Sequence, residues 1–254
     1  MKKLIIVCCL ALLPAMAFAS GGGVQLDHVD LDDSDNASLQ SGAKIFTNYC
    51  MGCHSARFSR YGRVAEDLGI PPDMYMENLV FDDSKIGDLM TIAMSNSHSK
   101  QFFGAAPPDL TMVSRVRGPD WLYTYLRTFY RDDSRPWGVN NKTFPNVGMP
   151  HVLLEMQGLQ ECAPGPIAGH VKIDPLTGQV IAEDPCGSLE VTKKGTMTPA
   201  EYDQAMYNLV NFLAYTAEPM ARDRKRMGVY VLLFITLFGI FAYLLNREYW
   251  KDIH

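Results

Sequence analysis

The chain has 254 residues, of which 47% are hydrophobic and 20% charged. This composition excludes a disordered tail and a fibrous repeat, and the length allows one sizeable domain or two small ones. Much of the apolar content lies in two blocks, one at each end of the chain. A plain cytoplasmic enzyme is therefore excluded as well.

The N-terminal block has the features of a secretory signal peptide. Two lysines follow Met1, and the uncharged run 4–18 is too short to span a bilayer. Small residues occupy the positions that a signal peptidase reads, so we predict cleavage after Ala19 and a signal peptide at 1–19. The alternative is an N-terminal membrane helix, which is disfavoured because Pro14 interrupts the run and three glycines follow it.

The C-terminal block predicts a membrane anchor. Residues 228–245 carry no charge, and a helix of that length covers about 27 Å, close to the hydrocarbon thickness of a bilayer. Tyr230 and Tyr243 lie near its ends, where aromatic rings favour the interface. We predict a transmembrane helix at 227–246 and a short cytoplasmic tail at 247–254. A buried core helix is the alternative, although such helices seldom lack a polar face over eighteen residues.

The two apolar blocks give opposite predictions for the side of the membrane on which the large domain lies. Four basic residues lie within 222–226 and only two follow the apolar run, so a positive-inside count places the large domain in the cytoplasm. An export signal places it outside, and we expect the signal to decide. Residues 20–226 would then form an exported domain.

The exported domain is acidic. Residues 20–221 carry a net charge of about −10. This charge argues against binding of nucleic acid and favours rapid encounter with a basic protein partner. An acidic surface that serves only solubility is the alternative.

The segment Cys50-Met51-Gly52-Cys53-His54 matches the c-type haem attachment signature. Two thiols three residues apart can reach the two vinyl groups of one porphyrin, and the adjacent imidazole can bind the iron. A thioredoxin-like redox pair and half of a zinc site are the competing interpretations. The first needs a βαβ context and the second needs another CxxC or a histidine pair, and the sequence predicts neither. We therefore predict one covalent haem c.

Met149 is the predicted sixth ligand. It lies in the Pro- and Gly-containing segment 144–150, whose restricted backbone suits the holding of a weak ligand. A thioether would stabilise the reduced iron and raise its potential. His151 is the main alternative and would lower the potential, whereas His98 and His170 are predicted to be surface or core histidines.

The clearest patterns in the remaining chain predict two helices. Apolar residues spaced four, three and four apart give residues 39–50 one apolar stripe, with Ser38 or Ser41 as the N-cap. The segment 198–201 is a capping box with proline at the first helical position, so it opens another helix. The predicted buried stripe of that helix comprises Tyr202, Ala205, Met206, Leu209 and Leu213.

The central part has weaker patterns. Asp82-Asp83-Ser84 predicts the start of a short helix, and aromatic-rich residues 120–130 predict another. Helical periodicity fades over 136–199, which predicts a long loop-rich insertion. Short strands are predicted around 171–173 and 179–181.

Cys162 and Cys186 are the cysteines left over by the haem motif and the signal peptide. In an oxidising compartment, an even count favours a disulfide between them. Closing such a loop would stabilise the domain by roughly 3.5 kcal/mol in the chain-entropy model.

The joint order of several segments resembles bacterial cytochrome c1, the haem subunit of the cytochrome bc1 complex, and looks closest to proteobacterial members. CxxCH alone would be compatible with any cytochrome c, whereas this order covers nearly the whole mature chain. The segments are CMGCH at 50–54, GAAPPDL at 104–110, RVRG at 115–118, GMP at 148–150 and RKRM at 224–227.

The resemblance implies roles for individual residues. Pro108 falls in the stretch that lines the haem pocket, and Arg117 matches an arginine that meets a haem propionate, a role that suits a guanidinium. An ordinary surface charge is the alternative for Arg117. Trp121 falls where the family has an aromatic near the haem, and core packing explains it equally well. The implied haem bonds are thioethers at Cys50 and Cys53 and axial bonds from His54 and Met149.

The resemblance also implies a fold. It is an all-α, class I cytochrome c-like haem domain with a long loop-rich insertion and one C-terminal transmembrane helix. The terminal helices around Phe46 and Leu213 are expected to pack together. Some members of the family carry a disulfide comparable to Cys162–Cys186, and others do not.

The implied function is a one-electron relay from a Rieske iron–sulfur protein to a soluble cytochrome c or a similar acceptor. Cytochrome b and membrane lipid would be further partners, in a bacterial inner membrane with the haem domain in the periplasm. The chain would be an electron-transfer subunit of a ubiquinol–cytochrome c reductase without acid–base chemistry of its own. The alternatives are a stand-alone anchored cytochrome that feeds a terminal oxidase, and a haem sensor or peroxidase-like protein.

Overall fold

The computed structural model describes residues 25–163, 172–173, 180–181 and 186–251. The predicted signal peptide at 1–19 and His170 lie outside the described residues, as do the last three residues of the predicted tail.

The described chain is mainly helical. Its helices are α1 (Asn36–Ile45), α2 (Tyr61–Asp67), α3 (Pro72–Leu79), α4 (Asn96–Phe103), α5 (Val113–Arg117), α6 (Pro119–Arg127), α7 (Leu154–Gln157), α8 (Pro199–Ala217) and α9 (Ala221–Tyr249). Its strands are β1 (Ala56–Arg60), β2 (Leu89–Met90), β3 (Phe129–Arg131), β4 (Val139–Asn141), β5 (Gly158–Cys162), β6 (Lys172–Ile173), β7 (Val180–Ile181) and β8 (Leu189–Lys194). The strands form antiparallel pairs β1–β2, β3–β4, β5–β8 and β6–β7.

The core is centred on the packing of α1 against α8, which confirms the expected contact between the terminal helices. The rings of Phe46 and Phe212 lie 5.6 Å apart between centroids, and both side chains are fully buried. Burial of each ring contributes about 1.5–3 kcal/mol to the free energy of unfolding. The backbones approach closely at Gly42, where an added Cβ would lie 2.0 Å from the carbonyl oxygen of Asn208.

The N-terminal boundary of α1 differs from the sequence prediction. Asp35, and neither predicted serine, is the N-cap, and its carboxylate accepts a hydrogen bond from the backbone N–H of Ser38 at 3.1 Å. The two serine hydroxyls instead accept from asparagines of α8, Ser38 from Asn211 at 3.1 Å and Ser41 from Asn208 at 3.2 Å. Both serines therefore belong to the α1–α8 interface.

Helix α8 confirms the capping-box prediction. The Thr198 hydroxyl accepts from the Glu201 N–H, and the Glu201 carboxylate accepts from the Thr198 N–H. All five residues of the predicted stripe are buried.

The prediction of a helix that begins at Asp82 is wrong. The Asp82 carboxylate accepts from the N–H of Ser84 at 3.0 Å, so the side chain closes a turn instead of capping a helix. The helix predicted over 120–130 is found as α6, but it ends at Arg127 and the chain continues into β3.

The described residues between 136 and 197 contain short strands and one four-residue helix. The predicted strands near 171–173 and 179–181 are confirmed as β6 and β7, an antiparallel pair. Strands β5 and β8 pair from Gly158↔Lys194 to Cys162↔Leu189, and a disulfide joins Cys162 to Cys186 beside that end of the pair.

The C-terminal helix α9 is longer than the predicted anchor. It has 29 residues, from Ala221 to Tyr249, and its mean hydropathy reaches 2.4 over an 18-residue window. It begins six residues before position 227 because Arg222, Arg224 and Lys225 continue the helix ahead of the apolar run. None of its residues is buried, so its length and apolar surface would suit a membrane span.

The close approach at Gly42 leads to a prediction. Gly42→Ala should lower the free energy of unfolding by about 1–3 kcal/mol, because its Cβ meets backbone atoms that cannot move away independently. Gly87→Ala is the matched control, since no atom lies within 4 Å of its added Cβ. Urea unfolding of both variants in detergent, followed by circular dichroism, measures the difference. Equal stability of the two variants would contradict the assigned helix contact.

Candidate haem site

A cavity of about 340 Å³ lies among the end of α1, helices α6 and α8, and the segment that contains Met149. Its wall is mainly aliphatic and aromatic, with contributions from Phe103, Leu122 and Leu213. The six residues that the sequence analysis singled out for haem all line this cavity: Cys50, Cys53, His54, Pro108, Arg117 and Met149.

The first cysteine ends a π-helical turn that follows helix α1, and the second lies three residues beyond it. Residues Phe46–Cys50 form a π-helical turn, a feature that is frequent at functional sites. The N–H of His54 then donates to the Cys50 carbonyl at 2.9 Å, which holds the five-residue motif in a compact turn. Both thiols are free in the structure.

The environment of Cys50 does not suit a reactive redox pair. Burial, with a smaller contribution from Cys53, raises the pKa of the Cys50 thiol to about 12. Thioredoxin-like cysteines need a lowered pKa. Among the described residues, no group of three His, Cys, Asp or Glu side chains lies close enough together to hold a metal ion.

His54 is oriented by a backbone carbonyl. Its Nδ1 lies 2.7 Å from the carbonyl oxygen of Pro108, and a carbonyl can only accept, so the ring proton is on Nδ1. Nε2 is therefore left as the basic nitrogen. Burial lowers the pKa of His54, which favours the neutral imidazole that binds a metal. Pro108 thus acts through its carbonyl as well as by lining the cavity.

Met149 enters the cavity from a different segment. The hydroxyl of Tyr125 donates to its sulfur at 3.3 Å, and burial raises the pKa of that tyrosine, so it remains a donor at neutral pH. The Met149 side chain also packs against the small cluster of Phe129, Val139 and Val147. These contacts place the thioether independently of the CxxCH motif.

His151, the alternative ligand, lies outside the lining of this cavity. Its ring stacks on Phe129 with centroids 4.7 Å apart and planes inclined by 1°. Burial lowers the pKa of His151 to about 4, so it is neutral. His98 is exposed on α4. The geometry therefore favours Met149 over either histidine.

Two asparagines that the sequence analysis missed hold the Met149 segment in place. The fully buried Asn141 donates to the carbonyl of Tyr125 at 2.7 Å, and its Oδ1 accepts from the N–H groups of Thr143 and Phe144. Asn140 accepts from the N–H of Asn146 at 2.8 Å. The paired asparagines ahead of a proline turn were the available signal, since asparagine favours such backbone bonds.

Arg117 lies at the mouth of the cavity, where its guanidinium sits 5.1 Å from the ring centroid of Trp121 and 5.8 Å from that of Phe144. It is exposed, and among the described residues no carboxylate forms an ion pair with it. Trp121 stacks in turn on Tyr125, with centroids 4.9 Å apart. Trp121 both lines the cavity and packs against the core, so the two interpretations of this residue are compatible.

The family model described as "Cytochrome C1 family" matches residues 28–253. The chain belongs to the cytochrome c1 family. It is 48% identical to a protein named "Cytochrome c1" from Allochromatium vinosum, over 100% of both chains. It is 24% identical to the "Cytochrome c1" of Rhodobacter capsulatus, over 98% of this chain and 97% of that one.

Two further similarities carry other names. A Nitrosomonas europaea protein named "Ammonia monooxygenase gamma subunit" is 44% identical, over 96% of this chain and 95% of that one. A solved chain from "Hyperthermophilic respiratory Complex III" aligns over 100% of this chain and 98% of its own, at 14% identity and a TM-score of 0.45. A structural similarity at that level supports no conclusion about function.

Membership of the cytochrome c1 family implies a c-type haem, and the donor set of the cavity fits one. The site offers two free thiols, a neutral imidazole with one basic nitrogen and a thioether, all on an apolar wall. Imidazole and thioether are the axial donors of cytochromes c.

The hydrogen bonds of Asn141 lead to a prediction. Asn141→Ala should lower the free energy of unfolding by about 3 kcal/mol, because it removes three part-buried hydrogen bonds, to the Tyr125 carbonyl and to the N–H groups of Thr143 and Phe144. The control is Asn78→Ala, which removes only an exposed bond to Met74. Urea denaturation of the two variants makes the comparison, and a small, equal effect would refute the role of Asn141.

Proposed function

We propose that the protein is the haem subunit of a cytochrome bc1 complex, and that it relays single electrons from a Rieske iron–sulfur protein to a soluble cytochrome c or a similar acceptor. The supporting observation is that His54 and Met149, from distant segments, line the same apolar cavity as the two free thiols. Quinol oxidation would belong to other subunits.

The chain's residues would hold the haem in defined ways. Cys50 and Cys53 would form the thioether bonds, His54 would supply the proximal nitrogen and Met149 the distal sulfur. Arg117 would meet a propionate, since it has no carboxylate partner in the described part of the chain. The bound haem supplies the one-electron ferrous–ferric couple.

The composition of the cavity wall favours electron relay over peroxidase-like chemistry. Its lining includes no aspartate or glutamate, and His54 is its one histidine within the described residues. Peroxidase-like chemistry needs a general acid or base close to the substrate. An apolar wall with a donor held on each of two segments would instead limit the access of water and would hold both donors of a bound haem in place.

We propose that α9 is a transmembrane anchor and that residues 20–226 form a periplasmic domain of a bacterial inner-membrane protein. The length and exposed apolar surface of α9 support the anchor. The signal-like segment 1–19 supports export, followed by arrest at α9 and a short cytoplasmic tail. The acidic character of the exported domain favours a basic acceptor.

Copurification tests the proposed assembly. Solubilised from its native membrane, the chain should copurify with cytochrome b and a Rieske protein. Recovery without both partners would instead favour a stand-alone cytochrome that feeds a terminal oxidase. A subunit of a monooxygenase is a second candidate, because of the 44% identity to the protein named for that role, and copurification with monooxygenase subunits would support it.

Met149→Leu tests the distal ligand. The variant should lower the midpoint potential by roughly 100 mV or more, because loss of the thioether removes a ligand that stabilises ferrous iron. Reduced-minus-oxidised spectra and a redox titration measure this shift. The reduced wild type should not bind carbon monoxide, whereas the variant should.

The control for this substitution is Met112→Leu, because Met112 lies outside the cavity lining. Its titration should match that of the wild type. An unchanged potential in Met149→Leu would remove Met149 from the iron, and carbon monoxide binding to the wild type would favour a haem sensor or peroxidase-like protein.

Tyr125→Phe tests the hydrogen bond to the Met149 sulfur. A donated hydrogen bond withdraws electron density from sulfur and favours ferrous iron, so the variant should lower the potential by a few tens of millivolts, the equivalent of about 1 kcal/mol. Tyr123→Phe on the same helix is the control, because its ring lies under Arg127 and outside the cavity. Equal potentials for the two variants would exclude this role.

A further inference from the structure

A second cavity, of about 550 Å³, lies where the haem domain meets the first turns of α9. Helices α2, α5 and α8 contribute to its wall, together with the junction at Glu218 and Pro219. Its lining is rich in charge, unlike that of the haem cavity. The basic residues are Arg63, Arg115, Arg222, Arg224 and Lys225, and the acidic ones are Asp33, Asp67, Glu218 and Asp223.

Arg63 pairs with Asp67 and Lys225 with Asp33, and the five basic and four acidic groups together leave a net charge of +1 on the lining. Glu218 is shared, because its carboxylate accepts from both Arg115 and Arg224. The guanidinium of Arg222 donates to the backbone carbonyl of Asp33. Because that carbonyl carries no net charge, this bond does not neutralise the guanidinium. Arg115 and Arg224 remain 60% and 63% exposed, so their other N–H groups are accessible to a ligand. Guanidinium groups arranged in this way suit a phosphate, which accepts several charge-assisted hydrogen bonds.

The position of the cavity along α9, relative to the apolar run, indicates where that phosphate would come from. The apolar run of α9 begins at Gly228, and residues 222–225 precede it by about 4.5–9 Å at 1.5 Å per residue. The polar headgroup layer of a bilayer extends about 5–8 Å beyond the hydrocarbon on each side. If α9 spans the membrane, these basic residues therefore lie at the level of phospholipid phosphates.

One buried hydrogen-bond acceptor in the cavity wall, on Asn211, lacks a donor. Asn211 lines the cavity and is 1% exposed, and its side-chain N–H groups donate to the Asp32 carbonyl and to Ser38. Its Oδ1 has no hydrogen-bond partner among the described residues. Buried oxygens of this kind are normally satisfied, and a hydroxyl group of a ligand would supply the missing donor.

We propose that this cavity binds the headgroup of an anionic phospholipid, with the phosphate diester on Arg115, Arg222 and Arg224 and a headgroup hydroxyl near Asn211. The proposal rests on the membrane anchor proposed above for α9. A bound lipid of this kind would link the haem domain to the membrane surface beside the anchor.

The test uses the full-length, haem-loaded chain, delipidated in detergent and inserted into nanodiscs that contain equal amounts of phosphatidylglycerol and phosphatidylcholine. Native mass spectrometry then counts the lipid that the protein retains on release. We expect one phosphatidylglycerol, retained about tenfold over phosphatidylcholine, and about a tenfold loss of that preference in Arg115→Gln and in Arg222→Gln.

Arg226→Gln is the matched control, because Arg226 precedes the same apolar run but does not line the cavity. It should keep the preference, and haem spectra identical to those of the wild type show that each variant is folded. Equal retention of the two lipids, or an equal loss in all three variants, would overturn the proposal. Retention of added inorganic phosphate in place of lipid would overturn it in favour of a soluble anion.

Three further outcomes separate this site from the proposed function. A chain that inserts into nanodiscs without lipid preference overturns the headgroup site alone. A chain that stays out of nanodiscs of every composition overturns the anchor and this site together. Loss of cytochrome b from the native complex in Arg115→Gln, without any lipid preference in the wild type, would assign the cavity to a protein contact instead.

Discussion

The close packing of α1 against α8 is the constraint on which the site depends. Without a side chain at Gly42, α1 approaches α8 so closely that backbone and ring atoms are in contact. The CxxCH motif begins at the end of the π-helical turn that follows α1, so this crossing fixes where both thiols and His54 lie. Leu209 and Leu213 of α8 complete the wall next to them. The helix pair thus builds one side of the haem cavity.

The other side of the cavity is built by polar interactions. The segment with Met149 has no regular structure, and it is held by asparagine side chains that take over backbone hydrogen bonds normally satisfied within helices or sheets. If Met149 binds the haem iron as proposed, this rigid support would position the thioether, because a weak ligand bond would contribute little to that positioning. The part-buried hydrogen bond from Tyr125 fixes the sulfur further.

Local patterns predicted much of this arrangement, but not the bonds between distant segments. The capping box at Thr198, the strands β6 and β7 and the CxxCH motif can each be recognised from neighbouring residues. The roles of Ser38 and Asn141 could not, because their partners lie far away along the chain or depend on the exact path of a loop. Asp82 shows that a local pattern can also be ambiguous. An aspartate two residues before a serine can close a turn as well as cap a helix.

Helix α8 separates the two cavities, and its periodicity explains how. Leu209 and Leu213 are four residues apart and face the haem cavity, while Asn211, Ala214 and Tyr215 line the cavity next to α9. Residues spaced in this way occupy different faces of one helix. A helix with functional contacts on both faces cannot shift on one side without disturbing the other. The wall of the haem cavity and the wall of the cavity next to α9 are therefore set by the same rigid element.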